Sequence, residues 1–205
     1  MKDNNSSKKL VELKILTLGD TSVGKSSFII KFIDNRFSIN YIATLGFDFK
    51  QKKLTINDET IRLKIFDTAG QERFKSISLN IIKKADGILL LYDIGNRDSF
   101  ESVSNWIKSI REIGEEKVCI ILIGNKCDLP EEKRKVSKEE GEDKANEYNI
   151  PFFETSCKEG INVNEAFMKL SEEILKKNGA NIITKGEKLS KENIKKDNEK
   201  SKNCC

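Results

Sequence analysis

The chain has 205 residues, of which 37% are hydrophobic and 34% charged, enough for one domain with a hydrophobic core and a polar tail. Its net charge of +4 is concentrated between residues 176 and 205, where nine lysines and four acidic residues give +5. The remaining −1 argues against a nucleic-acid binder. The absence of histidine argues against histidine-based catalytic triads and histidine-ligated metal sites.

The cysteines and the termini indicate a cytosolic protein. The spacing of the cysteines matches no disulfide framework, and no signal peptide precedes the first strand. No apolar run reaches the ~20 residues of a spanning helix, and Lys2 excludes N-myristoylation. The five cysteines, which we expect to be reduced, are Cys119, Cys127, Cys157, Cys204 and Cys205.

The first third of the chain predicts a strand, a helix and a hairpin. Residues 1–9 are polar and are predicted to be disordered. Residues 10–18 have the pattern of a strand that enters a glycine-bearing turn, and residues 26–32 have that of a buried helix. Residues 46–56 and 60–66 are typical of two strands joined by a short connection.

The rest of the domain alternates strands with helices. Continuous apolar runs at 88–92 and 118–123 indicate central strands buried on both faces. Helical apolar spacing marks residues 100–110 and 163–174, and a short strand fits 151–154. The predicted class is α/β, with a six-stranded, mostly parallel sheet and helices on both faces. The domain should span residues 10–177, followed by a flexible basic tail over 178–205.

Residues 19–26 read GDTSVGKS and fit the phosphate-loop pattern between a strand and a helix. The glycines let backbone N–H groups surround phosphates, and the helix N-terminus adds its positive end. Lys25 would reach the outer phosphates and the Ser26 hydroxyl would bind Mg²⁺. The alternative is an ordinary glycine turn with a surface lysine. The residues predicted to hold the nucleotide here are Gly19, Ser22, Val23, Gly24, Lys25, Ser26 and Ser27.

Residues 67–70 read DTAG at the end of the second hairpin strand. Asp67 could hold Mg²⁺ through water, and Gly70 lets a backbone N–H approach the terminal phosphate. Gln71 could orient an attacking water. By itself the tetrapeptide is also a common turn, so its interpretation depends on the preceding phosphate loop.

Residues 125–128 read NKCD and follow a buried strand. The Asp128 carboxylate could accept both N1–H and a 2-amino hydrogen of guanine, a pair that adenine lacks. The stem of Lys126 could lie over the base, behind Asn125. After the last strand, Ser156, Cys157 and Lys158 would offer a backbone N–H to the guanine oxygen; either segment alone could be an ordinary turn.

These four segments, in this order, resemble the Ras superfamily of small GTPases, and within it the Rab family. Residues 44–49 (TLGFDF) are similar to the Rab first switch, 62–66 (RLKIF) to the strand that follows, and 67–74 (DTAGQERF) to the second switch. The resemblance covers residues 8–176 and extends to the terminal cysteine pair. It implies a P-loop small GTPase fold.

The resemblance also implies a chemistry: a Mg²⁺-dependent GTP/GDP switch that hydrolyses GTP slowly. Thr44 would be the first-switch Mg²⁺ ligand beside Ser26 and Asp67, and Phe37 would pack against the edge of the base. The residues implied in hydrolysis are Gln71, Lys25 and Thr44. Since no arginine is placed to act in cis, a partner would have to supply one.

The sequence departs from the Rab pattern in two places. Residues 81–85 read IIKKA, where Rabs usually carry a Tyr-Tyr-Arg-Gly-Ala run. The aromatic triad through which many Rabs contact effectors would become Phe49, Phe66 and Ile81. Thr21 stands where Ras has a glycine to which hydrolysis is sensitive. These departures concern effector choice and hydrolysis rate rather than nucleotide binding.

By the same resemblance, Cys204 and Cys205 would both be geranylgeranylated, and two lipids suit stable anchoring. The implied location is the cytoplasmic face of an intracellular or plasma membrane, with cycling through the cytosol. The implied partners are an exchange factor, a GTPase-activating protein, a GDP-dissociation inhibitor, escort and prenylation proteins, and effectors of vesicle trafficking. The protein is expected to be monomeric.

Two other functions compete with this interpretation. A nucleotide-locked binding scaffold would recruit partners without turnover, and Gln71 argues against it. A P-loop kinase or ATPase would share the phosphate loop, and Asp128 after Asn125 and Lys126 argues against that.

Overall fold

The structure, a computed structural model, describes residues 11–37, 47–57, 59–68, 82–114 and 118–179. It contains one six-stranded sheet with strand order β2-β3-β1-β4-β5-β6. Among the strand pairs of this described part of the chain, only β2–β3 is antiparallel. The strands are β1 (Val11–Leu18), β2 (Phe47–Ile56), β3 (Glu59–Thr68), β4 (Gly87–Asp93), β5 (Cys119–Asn125) and β6 (Phe152–Thr155).

Four α-helices accompany the sheet in the described residues, together with a short 3₁₀ helix at Glu131–Lys133. They are α1 (Lys25–Asp34), α2 (Arg97–Gly114), α3 (Lys138–Tyr148) and α4 (163–179). None of the helices in these residues is long and apolar enough to cross a membrane.

The core forms two layers, one on each face of the sheet. The apolar run of β4 is divided between them by strand alternation: Leu89 and Leu91 face the layer that includes α1 and α4, and Ile88 and Leu90 face the layer that includes α2 and α3. Both faces of this strand are therefore buried, as its continuous apolar sequence predicts.

The parallel strands place their C-terminal ends at one edge of the sheet. Strand β1 enters the turn at residue 19, and β4, β5 and β6 end at Asp93, Asn125 and Thr155. Segments far apart in sequence meet there, at the edge where open α/β sheets bind ligands.

The predicted six-stranded, mostly parallel sheet is confirmed, with strand ends shifted by at most two residues. Helix α3 was not predicted, because its sequence KEEGEDKANEY has few apolar residues. A Ser137–Glu140 capping box starts this helix, and only Gly141 and Ala145 are buried on it. Helix α4 extends to 179, beyond the predicted domain end at 177. The predicted disordered N-terminus (1–9) and most of the tail lie outside the described residues.

Candidate functional site

The turn after β1 depends on two glycines. Gly19 has φ 134° and Gly24 has φ 103°. Residues other than glycine rarely adopt this backbone conformation. A Cβ atom at Gly19 would collide with the backbone carbonyl of Leu91, and one at Gly24 with the side-chain amide of Asn125. The phosphate loop therefore packs directly against both β4 and the end of β5.

Lys25 begins α1 and turns its side chain back over this loop. Its Nζ donates to the carbonyl oxygens of Gly19 at 2.8 Å and Asp20 at 2.6 Å, and the residue is buried. Burial lowers the pKa of Lys25 to about 8, against the opposing attraction of the Asp67 and Asp20 carboxylates. The loop thus encloses a cation whose charge is only partly stabilised by its surroundings.

The N-terminus of α1 points its N–H groups at the same loop. Gly24 is its N-cap, and no described side chain caps this end. Ser26 and Ser27 lie in the first turn beside Lys25. The main-chain N–H groups of the first turn, the positive helix end and Lys25 together make a position suited to phosphate.

Asn125, at the end of β5, connects the phosphate loop to the last strand. Its buried amide donates from Nδ2 to the carbonyl of Val23 at 2.8 Å. Its Oδ1 accepts from Thr155 Oγ1 at 3.1 Å and from Cys157 Sγ at 3.4 Å. Burial raises the pKa of the Cys157 thiol to about 12, so it stays a donor at neutral pH.

Lys126 makes the second connection to the phosphate loop. Its Nζ donates to the carbonyl of Ser22 at 3.0 Å and contacts Asp93 Oδ2 at 2.6 Å. The other Asp93 oxygen accepts from the Gly95 N–H at 2.8 Å. The Lys126 side chain therefore spans from β5 across the site to the loop and is held at its tip.

Asp128 faces the segment after β6. The Ser156 hydroxyl donates to Asp128 Oδ1 at 2.6 Å, and Lys158 Nζ lies 4.0 Å from Oδ2. The Ser156 hydroxyl in turn accepts from the Glu159 N–H at 3.0 Å. The structure thus brings the predicted segments 125–128 and 156–158 together around one carboxylate.

Two of the residues predicted to hold Mg²⁺, Ser26 and Asp67, lie beside Lys25 in the structure. Ser26 directly follows Lys25, and the Asp67 carboxylate is close enough to favour the charged form of Lys25. The described residues contain no cluster of three or more His, Cys, Asp or Glu side chains suited to a metal. A hydroxyl and one carboxylate near a phosphate site fit Mg²⁺, which takes few protein ligands and keeps water and phosphate oxygens.

Several predicted residues cannot be placed. Thr44, Gly70 and Gln71 lie outside the described residues, as do Ile81, Cys204 and Cys205. Phe37, predicted to contact the base, is 41% exposed.

Three residues of the site were not predicted: Asp93, Thr155 and Trp106. Asp93 and Thr155 end parallel strands, as Asn125 does, and that position could have identified them. Trp106 donates from Nε1 to Asp20 Oδ1 at 2.8 Å. Sequence offers no signal for this contact, because Trp106 lies on a helix 86 residues from its partner.

The chain is similar to known proteins along most of its length. A sequence model of the Ras family matches residues 14–176. The chain is 45% identical to Ras-related protein Rab-13 of Rattus norvegicus over 192 residues, 94% of each chain. It is 47% identical to Rab-10 of Diplobatis ommata over 80% of this chain and 82% of that protein. Rab-8 of the same species is 44% identical over 80% and 78%. The chain therefore belongs to the Rab family of small GTPases, which bind and hydrolyse GTP and act as switches in vesicle trafficking.

Proposed function

We propose that the nucleotide lies across the C-terminal edge of the sheet. Its phosphates would contact residues 19–27, and guanine would lie between residues 125–128 and 156–158. The observation that carries this proposal is the pair of bonds from Asn125 to Val23 and from Lys126 to Ser22, at 2.8 and 3.0 Å. These bonds join the phosphate and base segments into one site, although more than 100 residues separate them.

Guanine would be selected by Asp128. The Ser156 hydroxyl and Lys158 hold its carboxylate, so a base without two matching donors would leave a fixed charge unpaired. The Ser156 N–H already donates to the Ile161 carbonyl at 3.1 Å. Cys157 and Lys158 would therefore supply the N–H for the guanine oxygen.

Ser26, Thr44 and Asp67 would hold Mg²⁺. The ion would offset the negative charge of the phosphates. Lys25 would contribute a second positive charge, and its ammonium would exchange the carbonyl oxygens of Gly19 and Asp20 for phosphate oxygens. This exchange is favourable because hydrogen bonds between two charged groups are stronger than those to neutral carbonyls.

Hydrolysis would depend on Gln71, which would orient the attacking water, with Lys25 and Thr44 binding the phosphate and the ion. The intrinsic rate would be slow, and a GTPase-activating protein would supply an arginine. An exchange factor would replace GDP with GTP. The segments near Thr44 and Gly70 would become ordered with GTP and be released after hydrolysis.

Effectors would contact the exposed part of the hairpin. Phe49 is 47% exposed and lies opposite Phe66, with 6.2 Å between ring centroids. The Lys64 ammonium lies 4.6 Å from the Phe49 ring centre. Exposed aromatic side chains are typical of protein-binding surfaces.

The membrane anchor would be formed by geranylgeranyl groups on Cys204 and Cys205, aided by the tail lysines. The protein would then reside on the cytoplasmic face of an intracellular or plasma membrane. Escort proteins would present it for prenylation, and a GDP-dissociation inhibitor would carry it through the cytosol.

The base pocket is tested with Asp128→Asn. The amide can pair with xanthine but not with both donors of guanine, so GTP affinity should fall at least about tenfold and the preference should move toward xanthosine triphosphate. Asp98→Asn, an exposed substitution on α2, is the matched control. Competition by excess ATP distinguishes this proposal from a P-loop kinase or ATPase. Unchanged GTP affinity in the Asp128 variant would contradict the proposed base pocket.

Hydrolysis is tested with Gln71→Leu. This variant should bind GTP with nearly normal affinity and respond weakly to a Rab-type activating protein in single-turnover assays. Normal stimulated turnover would exclude the proposed role of Gln71. Absence of stimulated turnover in the wild type would favour the binding scaffold.

The anchor is tested by membrane flotation of the prenylated protein. Replacing both Cys204 and Cys205 with serine should abolish membrane association, and each single replacement should leave a weaker, salt-sensitive attachment. Full association of the double variant would place the tether elsewhere.

A further inference from the structure

Trp106 contacts the phosphate loop from helix α2, which contains none of the four predicted nucleotide-binding segments. It is half-buried on α2, and its Nε1 donates to Asp20 Oδ1 at 2.8 Å. Phe100, Val103 and Ile107 of α2 are buried in the core, and Trp106 packs against the edge of the same core. The helix that carries the indole is therefore held in place by core packing.

Asp20 connects this indole to Lys25. Its backbone carbonyl accepts from Lys25 Nζ at 2.6 Å, and its carboxylate favours the charged form of Lys25. The Asp20 side chain is thus bonded to α2, and its main-chain carbonyl is bonded to the lysine of the phosphate loop. The hydrogen bond from Trp106 therefore restrains the same residue whose main-chain carbonyl binds Lys25.

The position of the Asp20 carboxylate matters because it lies in a loop that binds an anion. A carboxylate free to turn toward the phosphates would repel them. The Trp106 N–H is a neutral donor that holds the carboxylate on the α2 side of the loop. It does so without adding a cation that would compete with Lys25 for the phosphates.

We propose that Trp106 is a positioning residue for nucleotide binding: by anchoring Asp20, it keeps a negative charge away from the phosphates and fixes the loop carbonyl beside Lys25. This inference rests on the proposed placement of the phosphates on residues 19–27. Trp106 does not itself contact the nucleotide.

Release of a fluorescent GDP analogue (mant-GDP) from the Mg²⁺-loaded full chain tests the inference. Trp106→Phe keeps the ring and removes the N–H, and release should become about 3- to 10-fold faster. Ser102→Ala is the matched control, because it removes one hydrogen bond, to the Asp98 carbonyl, from the same side of α2 one turn earlier. Its release rate should equal that of the wild type. Wild-type release from Trp106→Phe would overturn the inference.

An Asp20→Asn background separates positioning from packing. The amide still accepts a hydrogen bond but carries no charge to be kept away from phosphate. Trp106→Phe should therefore accelerate release less than about twofold in this background. An equal acceleration in both backgrounds would mean that the indole acts only by packing, and would overturn the inference.

Tryptophan emission gives a test that does not require Trp106→Phe to fold. Trp106 is the only tryptophan of the chain, so the emission reports on the surroundings of this indole alone. Asp20→Ala removes the acceptor and should shift the emission to longer wavelength as water replaces it. Unchanged emission would overturn the inferred bond. A wild-type chain that holds no mant-GDP would instead overturn the proposed function.

Discussion

The proposed base end and the proposed phosphate end of the site are built in different ways. Around Asn125 and Asp128, side chains at the ends of β5 and β6 and in the segments that follow these strands form hydrogen bonds with one another. Around residues 19–25, the geometry depends on glycine backbone and on one lysine held by carbonyl oxygens. The first arrangement consists of side-chain pairs, and the second of main-chain positions.

This difference suggests a division of work. Side chains fixed by their neighbours can reject the wrong base, because a mismatched ligand leaves buried groups unpaired. Main-chain N–H groups and a lysine attract any phosphate, and they cannot distinguish one base from another. We expect substitutions at the phosphate end to weaken binding of all nucleotides, and those at the base end to alter which nucleotide is bound.

The largest effect should come from Gly24→Ala, at the contact between the two ends. The methyl group would be strained at φ 103° and would collide with the Asn125 amide, so affinity for GDP should fall about 100-fold or more. Gly179→Ala, where nothing lies within 4 Å of the added atom, is the control. Calorimetric titration measures both. Retained affinity in Gly24→Ala would show that the two ends do not depend on close packing.

The next effect should come from Lys126→Met, which removes the ammonium that joins Ser22 to Asp93. The stem remains, so stacking on the base is kept. Loss of a charged hydrogen bond should lower affinity for GDP and GTP about tenfold. Lys108→Met, on the exposed side of α2, is the matched control. A change in base preference without a loss of affinity would contradict the bridging role.

A smaller effect on GDP affinity should come from raising the pH, which acts on Lys25 at the phosphate end. The pKa of Lys25 is lowered to about 8, so raising the pH from 7 to 8.5 removes the proton from a growing fraction of the nucleotide-free protein. Binding must then restore it, and GDP affinity should fall about 4-fold. In Lys25→Met the affinity should be lower and independent of pH over this range. Equal pH profiles for the wild type and Lys25→Met would show that Lys25 does not cause the pH dependence.

The smallest effect should come from Thr155→Val at the base end. It removes one donor to Asn125 and should lower the free energy of unfolding by about 1 kcal/mol, with GDP release about 2- to 3-fold faster. Ser171→Ala removes a buried hydroxyl bonded to the Phe167 carbonyl, far along α4. It should lower stability similarly and leave release unchanged. Equal release from both variants would deny Thr155 a part in the site.

The strand–helix order was predictable from the sequence, and the four segments interpreted as nucleotide motifs were recognisable in it, because each is a local pattern. Apolar runs at β4 and β5 show burial on both faces, and GDTSVGKS combines glycine, lysine and serine at the spacing that phosphate binding needs. Helix α3 escaped prediction because its few buried residues produce no clear periodicity.

Contacts between distant segments depend on the folded chain. No local pattern shows that Asn125 holds Val23, that Asp93 holds Lys126, or that Trp106 holds Asp20. These contacts arise because parallel strands deliver their C-terminal ends to one edge and α2 packs beside the loop there. Residue types and their spacing determine which chemistry is available, and the packing of sheet and helices determines which side chains come within hydrogen-bonding distance.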